Sequence, residues 1–317
     1  MDASLVTRDD VLAAARRIAG QVEPTPLIES EVGGVRTWLK CECLQTGGAF
    51  KLRGASNRLL QLSPEERKLG VVAFSSGNHA RGVAIAANRL GIRAIIVMPA
   101  DAPQVKVDGT RAEGAEIVFY DRLTEDREEI TASIARTSGA TIVPSFDDPA
   151  IVAGQGTVGL EIVEQLGRAP GRVIVPCGGG GLASGIALAV PEAQIVVVEP
   201  EGWDDMAHSL EAGEIVPVQA GAPETICDAI MTLHVSPITL GILRERHARA
   251  LSVSDAEVED AIRFAWAKHR IVVEPGAAVG LAALLADRIE PVEDTVVLLS
   301  GGNIDPALHA RIVGEAA

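Results

Sequence analysis

The chain has 317 residues, is 47% hydrophobic and 22% charged, and carries a formal net charge of -15. That length accommodates two cores, and the composition is that of an ordinary globular protein. The acidic balance excludes nucleic acid as a partner, because phosphate binding needs a basic surface; no apolar run reaches the length of a membrane span, and Met1-Asp2-Ala3-Ser4 has no leader pattern, so a cytoplasmic protein is expected.

In chain order, Thr7 with Asp9 and Asp10 opens a helix that Gly20 stops. Short extended pieces follow around residues 27–28 and 37–40. Cys41 and Cys43 are expected to alternate along a strand and share a face. With Cys177 and Cys227 they show no CxxC spacing, which suits reduced structural thiols. Strands are then predicted at 70–74, 94–98, 116–119, 141–143, 172–176, 195–199 and 295–299. Helices are predicted at 78–90, 104–113, 124–137 and 150–166. Each of these strands is short, apolar throughout and bounded by Gly, Pro or Asp, as for parallel strands covered on both faces. Ser254-Asp255-Ala256-Glu257 is a capping box for a helix running to about His269. The alternation gives an α/β architecture. Residues 61–145 are expected to form a small domain inserted into a larger one made of 1–60 and 146–317.

Three motifs carry the chemistry. Gly47-Gly48-Ala49-Phe50-Lys51 presents a lysine from a tight glycine turn behind an aromatic ring, in a chain with five lysines against 23 arginines. A lysine amine forms an imine with an aldehyde, whereas arginine stays protonated. Ser75-Ser76-Gly77-Asn78-His79 follows a strand and opens a helix, where unpaired backbone N–H groups suit an α-carboxylate. Gly178-Gly179-Gly180-Gly181-Leu182 lies between a strand and an Ala-rich helix and can wrap one phosphate. The spacing is not GxGxxG, so a dinucleotide fits less well than a single phosphate. An amine for an aldehyde, a carboxylate grip and a phosphate nest are what pyridoxal phosphate and an amino acid require. Ser300, in Ser300-Gly301-Gly302-Asn303, offers the pyridine nitrogen a hydroxyl that does not ionise, favouring quick loss of a β-leaving group. Glu199-Pro200-Glu201-Gly202-Trp203-Asp204-Asp205 ends another strand with carboxylates suited to a hard divalent ion.

Taken together, these motifs resemble the fold-type II pyridoxal-phosphate enzymes, in the serine/threonine dehydratase and serine racemase branch. The likeness spans nearly the whole chain and includes Phe146-Asp147-Asp148-Pro149, Gly154-Gln155-Gly156 and Glu274-Pro275. The resemblance implies a two-domain, open twisted parallel-sheet fold, like the tryptophan synthase β chain, and a homodimer. It implies Lys51 as the Schiff-base lysine and α-proton base, with Phe50 against the cofactor ring. Asn78, Gly178, Gly179, Gly180, Gly181, Leu182 and Ser300 would also hold the cofactor. Ser75, Ser76, Gly77, Asn78 and His79 would hold the substrate, Ser76 doubling as an acid/base on the opposite face. Glu199, the carbonyl of Trp203 and Asp205 would bind Mg²⁺ or Ca²⁺. The chain departs from the family pattern at Ala49, where serine is usual, at Arg81, where glutamine is common, and at Ala229, where glycine is usual.

The expected reaction is β-elimination of a hydroxy amino acid, L-threonine or L-serine first, to a 2-oxo acid and ammonia. The alternatives are threo-3-hydroxyaspartate, for which Arg81 offers a cation, serine racemisation, and β-replacement as in cysteine synthase, whose turn reads TSGNTG instead of SSGNHA.

Overall fold

The computed structural model describes residues 6–75, 77–102 and 104–314. Its elements run α1 (Arg8–Ile18), β1 (Leu27–Val32), β2 (Val35–Lys40), α2 (Lys51–Leu60), α3 (Pro64–Leu69), β3 (Val71–Phe74), α4 (Asn78–Leu90), β4 (Ala94–Pro99), α5 (Gln104–Ala112), β5 (Glu116–Tyr120), α6 (Arg127–Ser138), β6 (Thr141–Ile142) and α7 (Pro149–Leu166). The second half continues with β7 (Arg172–Pro176), α8 (Gly181–Ala189), β8 (Gln194–Pro200), α9 (Asp205–Ala212), α10 (Pro237–Glu245), β9 (Arg249–Val253), α11 (Asp255–His269), α12 (Pro275–Leu285), β10 (Thr295–Leu298) and α13 (Pro306–Val313).

Two sheets organise these elements. The larger has the order β1-β2-β10-β7-β8-β9, with β1 and β2 antiparallel and the other pairings parallel. The smaller, β5-β4-β3-β6, is wholly parallel and drawn from residues 71–142. Period-two alternation sends neighbouring residues of one strand into separate cores. Val173 and Val175 of β7 pack with α1, α7 and α8, while Ile174 faces the core of α11 and α12. In the smaller sheet, Val71 and Ala73 share a core with Leu52, Ala55 and Leu59 of α2, so the helix that begins at Lys51 packs on both units.

Local signals fix the helix ends. Thr7 and Ser254 cap α1 and α11 through reciprocal bonds with Asp10 and Glu257. Two expectations need correction. Neither Cys41 nor Cys43 is on a strand: β2 stops at Lys40 and Glu42–Leu44 tightens into a 3-10 turn, which buries both cysteines in one core. β5 is not covered on both faces; it is the edge of its sheet, and Phe119 stays 46% exposed.

The C-terminal ends of β3, β7 and β10 open on one region. It is the position where parallel α/β sheets hold ligands.

Candidate active site

A cavity of about 170 Å³ is lined by Phe50, Lys51, Ser75, Gly77, Asn78, His79, Gly178 to Leu182, Glu274 and Ser300, with Ser145, Phe146, Lys106, Arg127 and Asp228 among the rest of its wall. The three motifs, spread over more than a hundred residues of sequence, therefore share one space. Ser76 lies outside the described residues.

Lys51 is delivered by a turn that needs glycine. Gly47 and Gly48 have φ of 81° and 74°, and a Cβ on Gly48 would sit 2.4 Å from Asn303 Oδ1. The turn is stitched to the last motif: Phe50 N donates to the Ser300 carbonyl at 3.1 Å, Gly302 N to the Gly48 carbonyl at 2.9 Å, and Asn303 Nδ2 to the Gly47 carbonyl at 2.9 Å. These bonds bring Ser300 and Lys51 to the same wall. Lys51 Nζ donates to the Ser145 carbonyl at 3.0 Å and lies 5.1 Å from the Phe50 ring centroid. Burial pulls the Lys51 amine down to about 8, against the opposing pull of the Glu274 carboxylate.

Glu274 is a site residue that no local motif marked as chemical. Burial pushes its carboxyl up to about 7, although a bond from Asn78 favours the charged form. Asn78 is held at both ends, its Nδ2 donating to Glu274 Oε1 at 2.5 Å and its Oδ1 accepting from Asn303 Nδ2 at 2.7 Å. His79 is buried and its Nε2 lies 2.9 Å from the Val143 carbonyl, which fixes the proton on that nitrogen; Nδ1 has no partner. Burial, then the Lys51 charge, holds this imidazole at about 3, so it is neutral.

The glycine loop joins β7 to α8, and Gly180, at φ 83°, is the N-cap of α8. A Cβ would meet the Phe146 ring at 2.3 Å from Gly179 and Met206 Cε at 2.6 Å from Gly180. Side chains are thus excluded from a cradle that faces the unpaired N–H groups of a helix start.

The Glu199 and Asp205 pair lies apart from this cavity. Glu199 accepts from the N–H groups of Met206 and Ala207, both at 2.9 Å, and caps α9. Burial raises it well above the usual carboxylate range and raises Asp205 to about 7. Both Asp205 oxygens are buried without a hydrogen-bond partner. No cluster of three His, Cys, Asp or Glu side chains suited to a metal exists among the described residues. Two carboxylates remain, oxygen donors of the kind hard cations take. Trp203 stands two residues ahead of Asp205 in the same turn, its indole Nε1 donating to the Pro223 carbonyl at 2.8 Å.

The family model described as pyridoxal-phosphate dependent enzyme matches residues 18–301. The chain belongs to this pyridoxal-phosphate-dependent enzyme family. It is 43% identical to L-threo-3-hydroxyaspartate ammonia-lyase of Pseudomonas sp, over 96% of this chain and 97% of the relative. Its structure resembles maize serine racemase with a TM-score of 0.91 at 35% identity, covering 97% and 96% of the two chains. It also resembles the T.th. threonine deaminase, with a TM-score of 0.87 at 42% identity over 94% and 98%. The fold is accordingly the fold-type II architecture of this enzyme family. The cavity fits pyridoxal phosphate: it offers a buried amine of lowered pKa and a glycine cradle in which Cβ atoms would clash.

Arg81 lines a neighbouring cavity of about 160 Å³ with Asn303, and its Nη1 donates to Asn303 Oδ1 at 3.4 Å. The cations in the wall of the Lys51 cavity are Lys106, paired with Asp228, and Arg127, whose guanidinium carbon lies 4.9 Å from the Phe74 ring centroid. Sequence periodicity gave neither residue away: Lys106 lies between Val105 and Val107 in the first turn of α5, and Arg127 opens the polar start of α6. No helix among the described residues is long and apolar enough to cross a membrane.

Proposed function

We propose that this enzyme eliminates the β-hydroxyl of a hydroxy amino acid, yielding a 2-oxo acid and ammonia. The observation that carries the reading is the Lys51 amine, lowered to about 8 and sharing one cavity with the tetraglycine loop and the start of α4. Bound there, pyridoxal phosphate supplies the electron sink that acidifies the α-carbon hydrogen. Lys51 would hold the cofactor through its Nζ, and the free Nζ would take that hydrogen, a task suited to an amine neutral near pH 8. Gly178 to Leu182 would bind the phosphate, Phe50 and Asn78 would orient the ring, and the Ser300 hydroxyl would be the partner of the ring nitrogen. Ser75 to His79 would bind the α-carboxylate, and Ser76 is the proposed second acid/base. In balance, the α-hydrogen and the β-hydroxyl would leave together as water, and one water would be taken up again on hydrolysis to the 2-oxo acid and ammonia.

For the substrate we favour threo-3-hydroxyaspartate, with serine and threonine as poorer alternatives. Lys106 and Arg127 in the cavity wall suit a second carboxylate, and the relative named above is an ammonia-lyase for that amino acid. Glu199, Asp205 and the Trp203 carbonyl are the proposed Mg²⁺ or Ca²⁺ ligands. The proposal includes a small unit of residues 61–145 against 1–60 with 146–317, supported by the separate four-stranded sheet. It also includes a homodimer in the cytoplasm, where the four buried cysteines would stay the free thiols they are here. Parallel measurement of ammonia and keto acid from hydroxyaspartate, serine and threonine tests the reading. The largest kcat/KM is expected for hydroxyaspartate; no ammonia from any of the three would end it.

A further inference from the structure

Behind the cavity lies a cluster of buried charge that the reaction as described does not use. Arg53, two residues after Lys51 on α2, is fully buried, as are Glu42 and Lys40. The guanidinium makes five bonds. Nε and Nη2 donate to the two Glu42 oxygens, each at 2.8 Å; Nη1 and Nη2 donate to the two Glu161 oxygens at 2.6 and 3.0 Å; and Nη1 reaches Thr157 Oγ1 at 3.3 Å. Glu42 also accepts from the Thr25 hydroxyl at 2.5 Å, and Lys40 Nζ donates to Glu161 Oε2 at 2.7 Å. Two cations face two carboxylates, so the cluster is neutral. Burial opposes the Glu161 charge, yet Arg53 and Lys40 hold it below the usual carboxylate range.

Stability alone does not call for such a cluster, since well-packed apolar residues of the same volume commonly serve a buried site as well or better. Its geometry points elsewhere. Glu42 stands at the start, and Arg53 just past the end, of the segment that carries Gly47, Gly48 and Lys51. Their two-pronged contact closes that segment into a loop. Glu161 and Thr157 tie the same guanidinium to α7. There α2 and α7 touch at glycines: a Cβ on Gly154 would lie 2.7 Å from Gly54 Cα, and Gly54 N donates to Gln155 Oε1 at 3.1 Å. Asn57 and Arg58 also bond α2 to the start of α7, at the Ala150 carbonyl and Asp148, but Arg53 is the side chain of α2 that grips both α7, at Glu161, and the segment ahead of Lys51, at Glu42.

We propose that Arg53 is a positioning residue for Lys51: by gripping Glu42 and Glu161 together, it sets the height and angle at which the Lys51 amine enters the cavity. The inference rests on the role proposed for Lys51. It requires the planar fork, because a lysine ammonium carries the same charge without the paired geometry.

The test uses the holoenzyme and its Arg53→Lys variant. Cofactor content, kcat, KM and the pH midpoint of the cofactor's visible absorption are measured, beside the melting temperature. A displacement of about 1 Å costs roughly 100-fold in rate, so kcat is expected to fall about 100-fold, with full cofactor content, KM within about twofold and a displaced absorption midpoint. A purely structural role would lower the melting temperature while leaving kcat per bound cofactor and the midpoint as in the parent; that result overturns the proposal. Should Arg53→Lys not fold, Thr157→Val decides, because it removes one neutral partner and keeps all four charges. A several-fold fall in kcat with a displaced midpoint supports the clamp, and parental values for both refute it. Borohydride labelling of the parent enzyme separates this outcome from failure of the Lys51 role: label on another lysine overturns that role, whatever Arg53 does.

Discussion

The Lys51 ammonium donates to the Ser145 carbonyl at 3.0 Å, and this one bond joins the first residue of α2 to the loop that precedes α7. The amine is thus directed into the cavity from a helix start, where the helix end is itself positive and adds to the cost of charge. Burial is the larger cause of its lowered pKa.

A consequence is a pH signature in the apoenzyme. Only the neutral amine attacks the cofactor aldehyde, and Lys51 becomes neutral near pH 8 instead of 10.5. The rate of pyridoxal-phosphate capture, followed by stopped-flow absorbance, is expected to rise with a midpoint near 8. Stability of the apoenzyme follows the same sign: the unfolded lysine binds more protons between about pH 8 and 10.5, so this group's contribution grows across that window and is lost as pH falls through 8. A capture midpoint above 10 would contradict the burial argument.

Gly179→Ala places a methyl carbon 2.3 Å from the Phe146 ring. The ring or the loop must shift, and the phosphate loses part of its N–H cradle. A charge-assisted hydrogen bond is worth about 1.5–3 kcal/mol. Cofactor affinity measured by fluorescence titration should therefore weaken about tenfold or more. Unaltered affinity would move the phosphate site elsewhere.

Asp205 gives the cation proposal its own sign. Burial raises its pKa from 3.8 to about 7, so its favourable contribution to folding is complete below 3.8 and is lost as pH rises through 7. A divalent cation binds the ionised form and relieves that loss. At 100 times its dissociation constant Mg²⁺ would add about 2.7 kcal/mol, or a rise of roughly 5 °C in melting temperature. The rise is expected at pH 8 and should shrink at pH 5; equal curves with Mg²⁺ and with chelator at pH 8 would remove the site.

Lys106→Met tests the substrate class. Loss of a charged partner should lower the ratio of kcat/KM for hydroxyaspartate over that for serine by about tenfold. A ratio that stays constant would mean the second carboxylate does not meet Lys106.

The parts legible in the sequence share a local cause. Glycines at Gly47, Gly48 and Gly180 answer to positive φ, and Ser254 with Glu257 writes a helix start within four residues. The β1–β2 hairpin shows where such reading fell short, since its Gly33-Gly34 turn, with φ of 59° and 77°, was a local signal for pairing the two extended pieces. The rest is long-range. Asn78 meets Glu274 across 196 positions, Lys106 meets Asp228 across 122, and Arg53 meets Glu161 across 108. No periodicity or spacing encodes such pairs. They exist because the tertiary fold brings distant elements together, the starts of α4 and α12 at Asn78 and Glu274 and the packed helices α2 and α7 at Arg53 and Glu161.

The central claim is that Lys51 carries the cofactor. Borohydride reduction of the holoenzyme followed by peptide mass mapping tests it directly, because the chain has only five lysines and a second one, Lys106, lines the same cavity. The account predicts a single phosphopyridoxyl label on Lys51. A label on Lys106, or none on Lys51, would contradict it.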